Sequence, residues 1–189
     1  TPKKVIQLLE SLKSKLNIPI ILFTYFNPLL SFGFEKFCKL ASSAGVSGLI
    51  IPDLPLEEAY KFSKIVGKFS IDLILLVAPT TPLDRMKIIS NNTRGFTYLV
   101  SVTGVTGERN KMGNRVEDLI KKLRENSTNP VAVGFGISLP EHVNKVRSWG
   151  ADGVIIGSAF VRRISSSSEN EVVNQVGAYC REMRVAADE

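Results

Sequence analysis

Six short runs of apolar residues, separated by segments with a helical period, dominate the sequence. The runs cover 18–25, 48–51, 73–78, 96–101, 131–134 and 153–156. They are nearly continuously apolar rather than alternating, which is expected of strands that other layers cover on both faces. The segments between them place apolar residues three or four positions apart. The pattern therefore predicts a parallel sheet built from repeated strand–helix units.

The helical segments carry recognisable apolar faces and start signals. The predicted faces are Leu8, Leu9, Leu12 and Leu16; Phe34, Phe37, Cys38 and Ala41; Ala59, Phe62, Ile65 and Val66; and Met86, Ile88 and Ile89. Proline and acidic residues at 54–58, 81–84 and 138–141 are typical of first helical turns. The serine run at 165–168 predicts a solvated connection before a last helix at about 171–185.

Repeated strand–helix units of this kind favour a β/α barrel, which closes with eight strands. Six units are seen and the chain begins in a helix, so we expect units three to eight of a TIM barrel, in one partial domain over 1–189. The strands at 18–25 and 153–156 would then be open edges that favour association. A doubly wound open sheet is the alternative, although it normally carries its glycine-rich phosphate turn early in the chain.

Glycine-bearing turns follow three of the late apolar runs, at 104–107, 134–136 and 157–158. A glycine at the end of a strand lets the backbone approach a ligand and leaves N–H groups pointing outward. Phosphate sites of β/α barrels are commonly made by the loops after strands seven and eight. Ser158 would open a helix whose N–H groups and dipole favour an anion. These turns predict one shared phosphate site, the alternative being ordinary tight turns.

The amino-acid composition argues against several classes of function. The 24 Lys and Arg residues against 18 Asp and Glu residues give a net charge of +6, but the basic residues are scattered, which favours a solvated surface or a small anionic substrate over nucleic acid. No apolar stretch has the length of a membrane span, and no targeting segment is recognised. Two cysteines, Cys38 and Cys180, and one histidine, His142, predict a reducing compartment, no metal site and a non-catalytic surface histidine.

Several longer strings resemble the tryptophan synthase alpha subunit family. They are Leu22–Pro28, Pro52–Glu58, Gly95–Ser101, Ser101–Gly107 and Val133–Ser138, within a match from Thr1 to about Ile164. The sequences of 79–82 and 149–158 are similar to those of plant members, which suggests that the protein is located in the plastid stroma or the cytosol. Plants also carry a sister enzyme, indole-3-glycerol-phosphate lyase, which releases free indole.

The resemblance implies retro-aldol cleavage of indole-3-glycerol phosphate to indole and glyceraldehyde 3-phosphate, without a cofactor. It implies substrate contacts at Phe23, Tyr25, Ile50, Leu76, Tyr98 and Thr106. It implies phosphate contacts at Gly107, Gly136, Gly157 and Ser158. It implies a beta-subunit interface at Asn27, Asp53, Leu54, Pro55 and Leu56.

The family's catalytic carboxylates belong to a region that the resemblance places before Thr1, so no catalytic residue is assigned. Asp53 is the only carboxylate at a strand end, and in the family its loop forms the interface. We therefore expect an N-terminally truncated lyase with turnover at least about 10³-fold below that of a complete one, since losing a general acid typically costs 10²–10⁴. The alternatives are a catalytically silent module that binds phosphate and the beta subunit, and a free-indole-releasing lyase.

Overall fold

The computed structural model describes residues 1–100, 109–134 and 136–188, with the backbone alone for 109–115. In this part, the helices are α1 Pro2–Leu12, α2 Phe26–Phe32, α3 Phe34–Ser43, α4 Leu56–Gly67, α5 Leu83–Asn92, α6 Arg109–Asn126, α7 Pro140–Ser148, α8 Ser158–Ser166 and α9 Val172–Asp188. The strands are β1 Ile20–Phe23, β2 Val46–Ile50, β3 Asp72–Ile74, β4 Leu76–Val77, β5 Thr97–Val100, β6 Val131–Gly134 and β7 Gly153–Val154. Helices and strands alternate apart from the pairs α2–α3, β3–β4 and α8–α9, and α9 overlaps the last helix predicted at about 171–185.

Each predicted apolar run overlaps a strand, and one run overlaps two. The run at 73–78 divides into β3 and β4, which belong to different sheets, ordered β1-β2-β3 and β4-β5-β6-β7. The division falls at Leu75, whose N–H donates to the hydroxyl of Thr93 at 2.9 Å. That hydroxyl in turn donates to the carbonyl of Phe96 at 2.8 Å. A side chain from a distant segment therefore takes the hydrogen bond that would continue the strand.

The described residues form two compact units, Thr1–Leu76 with Ile88–Thr97, and Val77–Lys87 with Tyr98–Glu189. In the first unit, β1 and β2 pair in parallel, and β2 and β3 do the same. Their registers align Phe23 with Ile50, and Ile50 with Ile74. β1 is the end strand of this sheet, as the sequence predicts for an open edge.

Helix packing in the first unit agrees with the sequence pattern in α3 and differs in α1. All four predicted α3 residues are buried: Phe34, Phe37, Cys38 and Ala41. In α1 the buried residues are Ile6 and Leu9, whereas Leu8 is 58% exposed. Leu16 lies beyond the helix, which ends at Leu12. The predicted α1 face is therefore only partly correct: Leu9 is buried as expected, Leu8 is exposed, and Leu16 falls outside the helix.

Two other predicted positions were also wrong. Ile88 in α5 is 51% exposed, while Met86 and Ile89 are buried. The serine run predicted as a connection is partly helical, because α8 extends through Ser166. Within this extension, the hydroxyls of Ser165 and Ser166 donate to main-chain carbonyls one turn back, at 3.0 and 3.3 Å.

In the second unit, β6 and β7 form a parallel pair in which Ala132 aligns with Gly153 and Val133 with Val154. The Asp152 carboxylate fastens the beginning of this pair. Its Oδ2 accepts the N–H of Val131 at 2.7 Å, and its Oδ1 lies 2.5 Å from Nη2 of Arg124. The same Arg124 nitrogen donates to the carbonyl of Gly150 at 3.1 Å. The relative alignment of β6 and β7 is therefore set by side chains at the ends where both strands start.

Among the described residues, no helix combines the length and hydropathy needed to cross a bilayer. The same part of the chain holds no cluster of three or more His, Cys, Asp or Glu side chains arranged to bind a metal ion.

Candidate functional site

Two of the predicted phosphate turns leave neighbouring strands at the same level. Val133 of β6 is aligned with Val154 of β7, so Gly136 and Gly157 each follow an aligned valine by three residues. The ladder continues one step further, because the N–H of Ile155 donates to the carbonyl of Val133 at 2.8 Å. Parallel neighbours end at a common edge about 4.8 Å apart. The second unit therefore brings the turns at Gly136 and Gly157 to adjacent positions.

The turn after β7 passes directly into a helix. Gly157 is the N-cap of α8, and Ser158 is its first residue; both are exposed. The carbonyl of Gly157 accepts the N–H groups of Phe160 and Val161 at 3.0 and 3.2 Å, which starts the helix. The N–H groups of a first turn have no partner within the helix and carry the positive end of its dipole. A Cβ added at Gly157 would meet nothing within 4 Å, so a ligand can approach the backbone there.

The turn after β6 needs its second glycine for conformational reasons. Gly136 has φ 43°, in the left-handed region that residues other than glycine rarely adopt. It is exposed, whereas the next residue, Ile137, is 3% exposed. The buried isoleucine anchors the turn while the glycine backbone remains at the surface.

Gly134 serves a different purpose from the one its sequence context predicts. A Cβ at Gly134 would lie 2.5 Å from Cε2 and 2.8 Å from Cζ of Tyr98. The ring of Tyr98 on β5 therefore packs against bare backbone at the end of β6. Burial raises the pKa of Tyr98 above its ordinary value, so its hydroxyl stays protonated at neutral pH. The sequence did not predict this contact between Tyr98 and Gly134, which we call the seat of Tyr98. The signal that could have indicated it is the position of Gly134 as the last residue of the strand rather than in the loop.

Two of the predicted indole contacts, Phe23 and Ile50, lie on the sheet of the first unit. Phe23 and Ile50 are aligned in register, so their side chains share one face. Phe23 is 58% exposed and Ile50 is 5% exposed. Tyr25 is 66% exposed but lies beyond β1, as the N-cap of α2, and Leu76 is half-buried in β4. The structure thus brings Phe23 and Ile50 together and leaves two aromatic rings largely uncovered.

Other predicted site residues fall elsewhere. Tyr98 belongs to the second unit, whereas Thr106 and Gly107 lie outside the described residues.

The predicted interface residues come from two segments that one hydrogen bond joins. Oδ1 of Asp53 accepts the N–H of Phe26, the first residue of α2, at 2.9 Å. Asn27 and Pro55 are exposed, and Leu54 and Leu56 are half-buried. The rings of Phe26, Phe34 and Phe62 next to these segments pack edge to face. The centroid of the Phe62 ring lies 4.8 Å from that of Phe26 and 4.6 Å from that of Phe34. The exposed segments therefore rest on an aromatic support.

His142 and the cysteines take no part in a catalytic cluster among the described residues. Nδ1 of His142 accepts the N–H of Ser138 at 3.3 Å, which ties the start of α7 to the turn after β6. Cys38 is buried and Cys180 is exposed, and both are free thiols. Burial, reinforced by the nearby Glu35 charge, raises the pKa of Cys38 to about 11, so its thiol remains neutral.

Comparisons with known proteins identify a single family. The family model described as tryptophan synthase alpha chain matches residues 1–188. A tryptophan synthase alpha chain from Prochlorococcus marinus subsp. pastoris is 80% identical over 189 residues, which are 100% of this chain and 68% of that protein. Another, from Synechococcus sp. strain CC9902, is 58% identical over 188 residues, covering 100% of this chain and 70% of the relative. These relatives are cyanobacterial, so the plant-like character is not confirmed.

Solved structures agree on the fold. The Pyrococcus furiosus tryptophan synthase a2b2 complex includes a chain with TM-score 0.89 and 34% identity, covering 98% of this chain and 74% of that one. A mutant alpha subunit from the same organism gives TM-score 0.87 at 34% identity, with the same coverage. The fold class is that of the TIM barrel, with parallel strands; the predicted strand count stays a prediction. The chain therefore belongs to the tryptophan synthase alpha chain family, the lyases that cleave indole-3-glycerol phosphate to indole and glyceraldehyde 3-phosphate in tryptophan biosynthesis.

Proposed function

We propose that the turns at Gly136 and at Gly157 and Ser158, together with Gly107, bind the phosphate group of indole-3-glycerol phosphate. The observation that carries this proposal is the equal spacing of Gly136 and Gly157 from the aligned pair Val133 and Val154. Main-chain N–H groups at a helix N-terminus are suited to a doubly charged anion. The net charge of +6 also favours an anionic substrate.

We propose that the indole ring contacts Phe23, Tyr25, Ile50, Leu76 and Tyr98, and that Thr106 belongs to the segment next to the substrate. The exposed rings of Phe23 and Tyr25 support this assignment, because large aromatic surfaces outside the core are suited to a flat apolar ligand. Tyr98 adds a neutral hydroxyl that is held in place by its seat on Gly134.

The reaction of the family breaks the bond between indole C3 and the glycerol side chain. A general acid protonates C3, a base removes the proton of the adjacent side-chain hydroxyl, and the bonding electrons return to the ring as the aldehyde forms. We assign none of these proton transfers to a described residue. Asp53 holds the N–H of Phe26, which supports a structural role for its carboxylate. The absence of a cofactor stays a prediction.

We further propose that Asn27 and the loop Asp53–Leu56 meet a beta subunit. A related chain, 34% identical, comes from a solved structure of an a2b2 complex, and the two segments here form one exposed surface joined by the bond from Phe26 to Asp53. Release of free indole without a partner is the competing proposal. Indole that accumulates in solution when no beta subunit is present would favour it.

The compartment in this proposal is the cytosol, since Cys38 and Cys180 are both free thiols, as expected in a reducing environment. The plastid stroma fits the same chemistry and is retained as the alternative.

A substitution at Gly157 tests the phosphate site. The added methyl group of Gly157→Ala meets no neighbour within 4 Å, so we expect the free energy of unfolding to change by less than about 0.5 kcal/mol. The methyl group would stand where the anion approaches the backbone. We expect the affinities for inorganic phosphate and for indole-3-glycerol phosphate to fall at least about 10-fold, measured by titration calorimetry, because charge-assisted contacts are worth about 1.5–3 kcal/mol.

Gly67→Ala is the matched control. Gly67 ends α4 in the first unit, and a Cβ there also meets nothing within 4 Å. This variant should bind phosphate as the original chain does. Unchanged phosphate affinity in Gly157→Ala would contradict the proposed site.

A further inference from the structure

Tyr179 of α9 is the largest buried polar side chain close to the two turns of the second unit. It is 2% exposed. Its ring packs edge to face against Phe160 of α8, with centroids 4.9 Å apart and planes at 64°. The guanidinium of Arg163, also on α8, lies 4.0 Å above the ring. The hydroxyl donates to the carbonyl of Ser138 at 3.2 Å. One side chain therefore touches both α8 and the turn after β6.

These contacts lie close to the proposed phosphate donors along the chain. Ser138 follows Gly136 by two residues, and Phe160 follows Ser158 by two residues. Measured from Gly157, the counterpart of Gly136, Phe160 is three residues downstream, so both contacts of Tyr179 fall within three residues of a proposed donor. Tyr179 joins two loops that are far apart in sequence but leave aligned strands.

The hydroxyl of Tyr179 is suited to this connection. Burial is the largest influence on it and raises its pKa above the ordinary value, so it remains protonated and donates. A buried phenol needs a partner, and losing that partner leaves a carbonyl or a hydroxyl unsatisfied. Ser138 is held from its other side as well, because its N–H donates to Nδ1 of His142 at 3.3 Å. Both main-chain polar groups of Ser138 are therefore fixed by side chains.

We propose that Tyr179 is a positioning residue of the phosphate site: through the Ser138 carbonyl and Phe160 it holds the turn after β6 and the start of α8 in one fixed arrangement. This inference rests on the proposed phosphate site. Donors that are already oriented lose less conformational entropy when an anion binds, so they bind it more tightly. Tyr179 does not touch the substrate and acts only on how well the donors are aligned.

Tyr179→Phe removes the hydroxyl and keeps the ring. We expect affinity for inorganic phosphate to fall about 3- to 10-fold, as the loss of one hydrogen bond of about 1 kcal/mol predicts. Affinity for indole-3-glycerol phosphate should fall by a similar factor, and affinity for free indole should stay the same. Tyr179→Leu also removes the ring contact with Phe160, so its phosphate affinity should be lower than that of the Phe variant. All three ligands are titrated against each variant by calorimetry.

Met183→Ala is the control for general loosening of α9. Met183 is 4% exposed and lies one turn further along the helix, so its truncation destabilises the packing. We expect this variant to keep its phosphate affinity. Amide hydrogen exchange gives a second readout: Tyr179→Phe should speed exchange at 137–139 and in the first turn of α8, and Met183→Ala should not do so selectively.

The outcomes separate the two proposals. If the unsubstituted chain binds no phosphate, both the phosphate site and the role of Tyr179 are overturned. If it binds phosphate and Tyr179→Phe binds it equally well, the role of Tyr179 alone is overturned. Equal losses in Tyr179→Phe and Met183→Ala overturn that role too, because they would show an effect of stability. The Phe variant decides the matter if the Leu variant does not fold.

Discussion

The two units present their proposed ligand contacts in different ways. In the second unit the contacts are main-chain N–H groups at Gly136, Gly157 and Ser158, and buried side chains behind them set their positions. In the first unit the contacts include aromatic side chains, Phe23 and Tyr25, that stand 58% and 66% exposed beside an end strand. The comparison teaches that the charged phosphate is bound by main-chain N–H groups, which a side-chain substitution does not remove. The flat, apolar indole ring is bound by side chains, which a single substitution can replace.

The largest expected effect is in the second unit, at Gly134. Gly134→Ala places a methyl group within 2.5–2.8 Å of ring atoms of Tyr98, so the ring or the strand must shift. We expect the free energy of unfolding, measured with urea, to fall by about 1–3 kcal/mol, as is usual when a packed site is overfilled. This outcome would sharpen the comparison by showing that the strand before the Gly136 turn has no room for a side chain beside Tyr98.

Gly153→Ala is the control in the same sheet. Its Cβ would lie 3.7 Å from that of Ala132, an ordinary contact, and we expect a change below about 0.5 kcal/mol. Shortening Tyr98 in the Gly134→Ala background should restore part of the lost stability, as a double-mutant cycle would record. Equal stabilities of the two glycine variants would be evidence against a seat for Tyr98.

The next effect is in the first unit, at Phe23. Phe23→Ala removes an exposed ring, so the free energy of unfolding should change by less than about 0.5 kcal/mol. Affinity for indole-3-glycerol phosphate should fall about 10-fold, equivalent to about 1.4 kcal/mol, while inorganic phosphate binds as before. Calorimetric titration of both ligands checks this split between the two ends of the substrate.

Ile18→Ala provides the reference for Phe23. Ile18 is also apolar, is 69% exposed and precedes β1, and its truncation should alter neither affinity. A parallel loss of phosphate affinity in Phe23→Ala would break the comparison, because the two ends of the substrate would no longer be recognised separately.

The smallest effect concerns the support of the proposed partner surface. Asp53→Ala removes the acceptor for the N–H of Phe26, and loss of one such hydrogen bond costs about 1 kcal/mol. The affinity for a beta subunit, measured by titration, should fall with it, and Asp53→Asn should recover most of the stability. Asp84→Ala, which removes an exposed acid from the first turn of α5, should leave the complex intact. No complex at micromolar concentration with the unsubstituted chain would remove the partner proposal.

Local patterns predicted much of the fold because they act over a few residues. The α3 face of Phe34, Phe37, Cys38 and Ala41 is buried as its spacing predicts. The start of α8 at Ser158 likewise follows from a glycine after an apolar run.

What the sequence did not predict depends on contacts between distant segments. The break between β3 and β4 comes from Thr93, eighteen residues after Leu75. The seat of Tyr98 and the double attachment of Tyr179 have the same character, since each joins residues that no short pattern connects. Periodicity records which face of an element is apolar, and it carries no information about the polar partner that ends or anchors that element.

Asp152 holds β6 and β7 at the ends opposite their glycine turns. A substitution in those turns can therefore weaken anion binding without shifting the register of the two strands. The affinity for phosphate can thus change while the register between β6 and β7 is kept. Anion binding and strand alignment are thus controlled at opposite ends of the same two strands.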